Sequence, residues 1–147
     1  MTDKAQFLDD QGEKEVIEAI RQAENKTSGE IRVHVEAHCP KETKPENRSK
    51  AVFHELKMDA TELHNGVLIY LAFNDQNFYI FGDDGINDKV PDDFWESTRD
   101  VMQAEFRTGD FKAGLVKGID KAGEQLKTHF PVADDDINEL SDEISRG

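Results

Sequence analysis

Carboxylates crowd into one short stretch of this sequence, Gly82-Asp83-Asp84-Gly85-Ile86-Asn87-Asp88. Two glycines there permit sharp turns, and three aspartates and an asparagine offer hard oxygen donors. Ca2+ takes roughly six to eight such oxygens from carboxylates, amides, carbonyls and water, so the chemistry this stretch suits is capture of a divalent cation. It is not an EF-hand: the acidic positions, central glycine and terminal glutamate of that loop do not fall in register between Asp83 and Asp93. The competing reading is plain turn chemistry, with Asp83 and Asp84 as turn formers and Asp88 as solvated surface. A catalytic use of the same carboxylates is a third.

The remaining reactive residues are dispersed. His34 stands beside Arg32 and Glu36 and could serve as a general acid or base, but a carboxylate partner explains it as well. No serine or cysteine nucleophile arrangement is visible around it. His38, His54, His64 and His129 form no His-Glu-x-x-His pattern, which disfavours zinc hydrolase chemistry. Cys39 is the sole cysteine, so neither an internal disulfide nor a thiolate metal cluster can form, and the cytosol is the natural compartment.

Charge narrows the partners. With 32 acidic against 18 basic residues among 147, the formal net charge is −14. Nucleic acid and anionic membrane surfaces are disfavoured as partners on that ground, since both demand a basic face. Residues 1–7 lack a basic and then apolar leader pattern, and the longest apolar run, Val67 to Phe73, is far too short to span a bilayer. Neither export nor membrane insertion is expected.

Elements must now place these residues. Val16, Ile17, Ile20 and Ala23 recur at helical spacing between Glu13 and Asn25, which predicts an amphipathic first helix. Glu30 to Glu36 alternates polar and apolar, predicting a strand with one buried and one polar face. The charged connection from His38 to Glu46 precedes a second helix carrying Ala51, Val52, Phe53 and Leu56, which ends before the Asn65-Gly66 turn. Val67 to Phe73, continuously apolar, reads as a central strand covered on both faces. Asn74 to Asn77 then turns the chain into an antiparallel strand, Phe78 to Phe81. Pro91-Asp92-Asp93 predicts the start of a helix whose buried face holds Phe94, Trp95, Val101, Met102 and Phe106. Asp110 is the expected N-cap of a last helix, in which Gly114 and Gly118 would let a neighbour approach closely. The acidic tail, residues 131–147 beyond a single domain of residues 1–130, reads as weak helix or disorder.

If the first two strands run parallel, the start of the first, the start of the second and the end of the third share one sheet edge. Glu30, Asn65, Asp83, Asp84, Asn87 and Asp88 then lie on one rim. The metal ligands expected from this placement are Glu30, Asp83, Asp84 and Asp88. Ca2+ is the first choice, with Mg2+ or another divalent cation as the alternative. Asp110 falls at the opposite rim.

Four words of the sequence, in this order, carry a family resemblance. They are Thr27-Ser28-Gly29-Glu30-Ile31, Asn65-Gly66-Val67-Leu68-Ile69, Gly82-Asp83-Asp84-Gly85-Ile86-Asn87 and Phe106-Arg107-Thr108-Gly109-Asp110-Phe111. Together they resemble the TPM domain over roughly Gly12 to Phe130. The resemblance implies a three-layer α/β/α sandwich with a small mixed sheet, two parallel strands plus an antiparallel hairpin strand, flanked by about four helices. Family members include chloroplast proteins linked to photosystem repair, and some are described as weak acid phosphatases or divalent-metal binders. Chloroplast and envelope relatives commonly carry a targeting or membrane segment; this chain departs from them and looks like a free-standing bacterial member. The expected function is a Ca2+-binding interaction module, open to an unidentified protein partner, with a low-activity metal-assisted acid phosphatase as the alternative. Against the alternative, only Lys89 and Arg32 offer cations near the rim, whereas phosphoryl transfer normally uses cationic clamps.

Overall fold

A computed structural model describes residues 8–61, 63–132 and 144–146. Helix α1, Asp10–Glu24, begins where the Asp9 carboxylate accepts the Gly12 N–H at 2.6 Å. Strand β1 is Glu30–Glu36, helix α2 is Pro45–Glu55, and a 3-10 turn follows at Met58–Ala60. The β2 strand, Gly66–Ala72, and the β3 strand, Asn77–Gly82, form the expected hairpin. After them come a one-turn helix α3, Asp84–Asn87, then α4, Glu96–Arg107, and α5, Phe111–His129. A two-residue strand β4, Ser145–Arg146, completes the described elements.

The sheet order is β3-β2-β1-β4. β1 and β2 are parallel in the register Glu30↔Gly66 through Glu36↔Ala72, and β2 and β3 are antiparallel from Val67↔Gly82 to Ala72↔Asn77. The α/β sandwich with a mixed sheet is as the sequence predicts. Every residue of β2 is buried, because α1, α4 and α5 cover one face and α2 the other. Val67, Ile69 and Leu71 join Val16, Ile20 and Ile119 in the larger core, while Leu68 meets Val52, Phe53 and Met58 beneath α2. Each such side chain, fully removed from water, contributes about 1.5–3 kcal/mol.

Helix α5 packs on two neighbours through its glycines. A Cβ at Gly114 would lie 2.2 Å from the Phe106 ring, at Gly118 2.5 Å from Met102 Sδ, and at Gly123 2.9 Å from Ala23 Cβ. The close approach predicted at Gly114 and Gly118 is made to α4, and Gly123, which the sequence reading did not single out, makes a second one to α1. Asp110 caps α5 by accepting the Ala113 N–H at 3.0 Å.

Three expectations need correction. α4 starts at Glu96 rather than at Pro91 to Asp93, which form consecutive turns instead. Gln125 Nε2 donates to the Phe94 carbonyl at 2.6 Å, taking an acceptor that a continuous helix would use. The polar face of β1 is not wet, since Glu30, His34 and Glu36 are all buried. Finally, the acidic tail contributes β4, which pairs parallel with β1 at His34↔Ser145 and Val35↔Arg146 and anchors Ile144 in the larger core. Residues 133–143, on which the rest of the tail reading falls, lie outside the described residues. Among the described residues no helix is long and apolar enough to cross a membrane.

Candidate functional site

The rim anticipated from topology exists. Glu30 N–H donates to the Asn65 carbonyl at 3.2 Å, and Asp83 N–H donates to the Gly66 carbonyl at 3.0 Å, so three remote peptide segments meet at one sheet edge. Parallel pairing of β1 with β2 and the reversal into β3 bring them there. Glu30 is 4 % exposed, Asp83 8 % and Asn65 2 %. Both carboxylates therefore have little contact with water.

Asp83 performs local work as well. Its Oδ1 accepts the Asp84 N–H at 2.8 Å and caps α3, and its Oδ2 lies 3.6 Å from His64 Nδ1. His64 adopts a left-handed backbone with φ of 50°. The carbonyls of Leu63 and His64 consequently press on α3: a Cβ at Gly85 would sit 2.4 Å from each of those oxygens. Gly85 is thus required by close backbone approach. Asn87 Nδ2 donates to the Gly82 carbonyl at 3.0 Å and ties α3 back to the end of β3.

The four expected metal ligands divide into two pairs. Glu30 and Asp83 are buried at the same sheet edge, on either side of β2, whereas Asp84 and Asp88 are exposed on α3, at its first residue and its C-cap. Among the described residues, no three His, Cys, Asp or Glu side chains converge as a ready metal-binding group. Lys89, one of the cations that the sequence reading set near this rim, rests 4.7 Å from the centroid of the Phe130 ring.

At the opposite rim a second polar group appears, built around Glu36. Arg48 grips its carboxylate with two hydrogen bonds, Nε to Oε2 at 3.0 Å and Nη2 to Oε1 at 2.9 Å. Tyr70 donates its hydroxyl to Oε2, and His34 Nε2 lies 3.3 Å from Oε1. Burial pushes the Glu36 carboxyl up, but the hydrogen bonds from Arg48, Tyr70 and His34 outweigh it and hold the group at about 2. Burial lowers the His34 pKa below its ordinary value against the opposing pull of Glu36. Burial, then the bond to Glu36, raises Tyr70. His34 Nδ1 meets Ser145 Oγ at 3.0 Å, 111 positions away in the chain.

His34 therefore has the carboxylate partner that its neighbours suggested, together with a serine that they did not. Arg48, Tyr70 and Ser145 were missed by reading the sequence. Only Tyr70 left a trace, as the one polar tip in an otherwise aliphatic central strand. Cys39 is part-buried, with its thiol donating to the Thr43 carbonyl at 3.1 Å.

The model of the TPM domain family matches residues 1–125. The chain is similar to the BA42 protein of the psychrophilic bacterium Bizionia argentinensis, an NMR structure, at 52 % identity with 100 % of both chains covered and a TM-score of 0.92. It shares its fold with two N-terminal domains solved by NMR. That of cg2496 from Corynebacterium glutamicum is 11 % identical, with coverage of 96 % of this chain and 81 % of that one and a TM-score of 0.66. That of a P. gingivalis protein is 19 % identical, with coverage of 87 % and 82 % and a TM-score of 0.70. Among curated proteins none matches.

Proposed function

The chain belongs to the TPM domain family, and we propose that it acts as a divalent-cation binding and interaction module whose ion, Ca2+ first, sits at the Glu30 and Asp83 rim. The observation that carries this reading is the placement of two buried carboxylates, Glu30 and Asp83, at one sheet edge on the two segments that flank the start of β2, each hydrogen-bonded to it through the backbone. Hard carboxylate oxygens at such an edge are the donors that a divalent cation prefers. The turn from Leu63 to Asn65 supplies carbonyl oxygens beside α3, and the exposed Asp84 and Asp88 stand on the same short helix. Such a mixed set of carboxylate, carbonyl and water oxygens suits Ca2+, whose coordination is adaptable, better than Mg2+, which demands near-octahedral geometry. Because the side chains do not converge beforehand, binding draws the α3 carboxylates inward and orders the turn around them.

Titration with Ca2+ tests this by amide chemical shifts and thermal melting. Shifts confined to residues 29–31, 63–66 and 82–89, with a stabilisation of about 2.7 kcal/mol at a hundredfold excess over Kd, are the expected result. Asp83→Asn should abolish both. If saturating Ca2+ moves none of those amides and leaves the melting temperature unchanged, the reading is wrong.

A further inference from the structure

The buried group at the other end of β1 is independent of the cation rim. His34 and Glu36 lie four and six residues along the strand from Glu30, roughly 13 and 20 Å at the usual rise per residue. We propose that Ser145, His34 and Glu36 form a Ser-His-Glu nucleophilic site that accepts the acyl group of small uncharged esters.

Geometry supports each role in turn. Glu36 is fixed by Arg48 and Tyr70 and is ionised, so it accepts the Nε2–H of His34 and sets the tautomer. The lone pair of Nδ1 then faces Ser145 Oγ at 3.0 Å, within reach for proton abstraction. Burial keeps His34 neutral and able to take that proton. The nitrogens are used in the reverse sense from the familiar serine hydrolase triad, but an orienting carboxylate, a base and a hydroxyl stand in the same chain of contacts. His34 is 4 % and Glu36 5 % exposed, whereas Ser145 is only half-buried, the least enclosed of the three. The net charge of −14 disfavours anionic esters and favours neutral ones.

In the first step Ser145 Oγ bonds to the ester carbonyl carbon as its proton passes to His34 Nδ1. The bond from that carbon to the alkoxy oxygen then breaks, and the leaving alcohol carries the proton away. A water molecule, deprotonated by His34 in its turn, releases the carboxylic acid and restores the serine.

The test uses the full chain with a fluorophosphonate probe, read by intact mass and peptide mapping, and with p-nitrophenyl acetate. A single adduct on Ser145, absent from Ser145→Ala and formed at least about 100-fold more slowly in His34→Gln, is expected. Labelling of the wild type should also fall as pH drops, with an apparent pKa below about 6.5, a readout that needs no variant to fold. No adduct on Ser145, equal labelling of a folded His34→Gln chain, or a rate that does not fall on acidification overturns the proposal.

Discussion

Substituting Gly85 by alanine sets two effects of known size against each other. Within a helix, alanine is favoured over glycine by about 1 kcal/mol, and the residue sits inside α3. Opposing this, the new Cβ would lie 2.4 Å from the carbonyl oxygens of Leu63 and His64 and 2.9 Å from the His64 carbonyl carbon. These are backbone atoms, so no rotamer change relieves the clash. The turn must retreat by at least roughly 0.6 Å to reach 3.0 Å, the shortest separation real Cβ atoms keep. Overpacking of this kind costs about 1–3 kcal/mol, and α3 is too short to realise the full helix benefit. A net destabilisation of about 1–2 kcal/mol is expected, lowering Tm by roughly 3–8 °C for a domain of this size. The retreat also separates the Leu63 to Asn65 turn from Asp83, so Ca2+ affinity should fall with stability. Urea unfolding of Gly85→Ala with and without Ca2+ measures both quantities. A variant as stable as the parent, with unchanged chemical shifts at residues 63–66, would refute the packing argument.

Other substitutions test the opposite rim and the helix interface. Arg48→Ala strips two hydrogen bonds from the buried Glu36 carboxylate and should cost about 2–4 kcal/mol in chemical denaturation. Tyr70→Phe removes one donor to the same carboxylate and should cost about 1.5–3 kcal/mol, with a raised Glu36 pKa visible by carbon-detected NMR titration. Acid should weaken the fold in two stages. Below about pH 6.5 the unfolded chain gains a proton that buried His34 resists, and between about pH 4.5 and 2 the contribution of ionised Glu36 is lost, on the order of 2–3 kcal/mol. Melting curves from pH 8 to 2 follow both, and Glu36→Gln should flatten the second stage. Gly114→Ala should destabilise by about 1–3 kcal/mol despite its better helix propensity, because the Phe106 ring that a Cβ would strike is held between Phe78 and Phe111.

The acidic rim was readable because its parts follow from strand direction alone. Once β1 and β2 are parallel and β3 returns antiparallel, Glu30, Asn65 and Asp83 can only lie at one edge, and backbone register joins them there. Side-chain direction was not readable. Asp84 and Asp88 belong to the same stretch as Asp83, yet one helical turn carries them into water while Asp83 is drawn in as its cap. Likewise Phe94 and Trp95 were assigned correctly to the core, but α4 starts only at Glu96, and the Phe94 carbonyl accepts instead from Gln125, thirty-one residues on.

By itself the sequence determined most of the layering of this protein, because hydrophobic periodicity is local: an unbroken apolar run in β2 and helical stripes in α1 and α5 each state which faces must be covered, whereas alternation in β1 left its polar face, which the fold buries, reading as wet. The motifs likewise fixed the family and the location of the acidic turn. Only the tertiary structure decided the polar group at the far rim. Glu36, Arg48, Tyr70 and Ser145 come from four different elements, and a buried carboxylate is satisfied by whichever donors packing brings within about 3 Å, a distance that spacing along the chain does not encode.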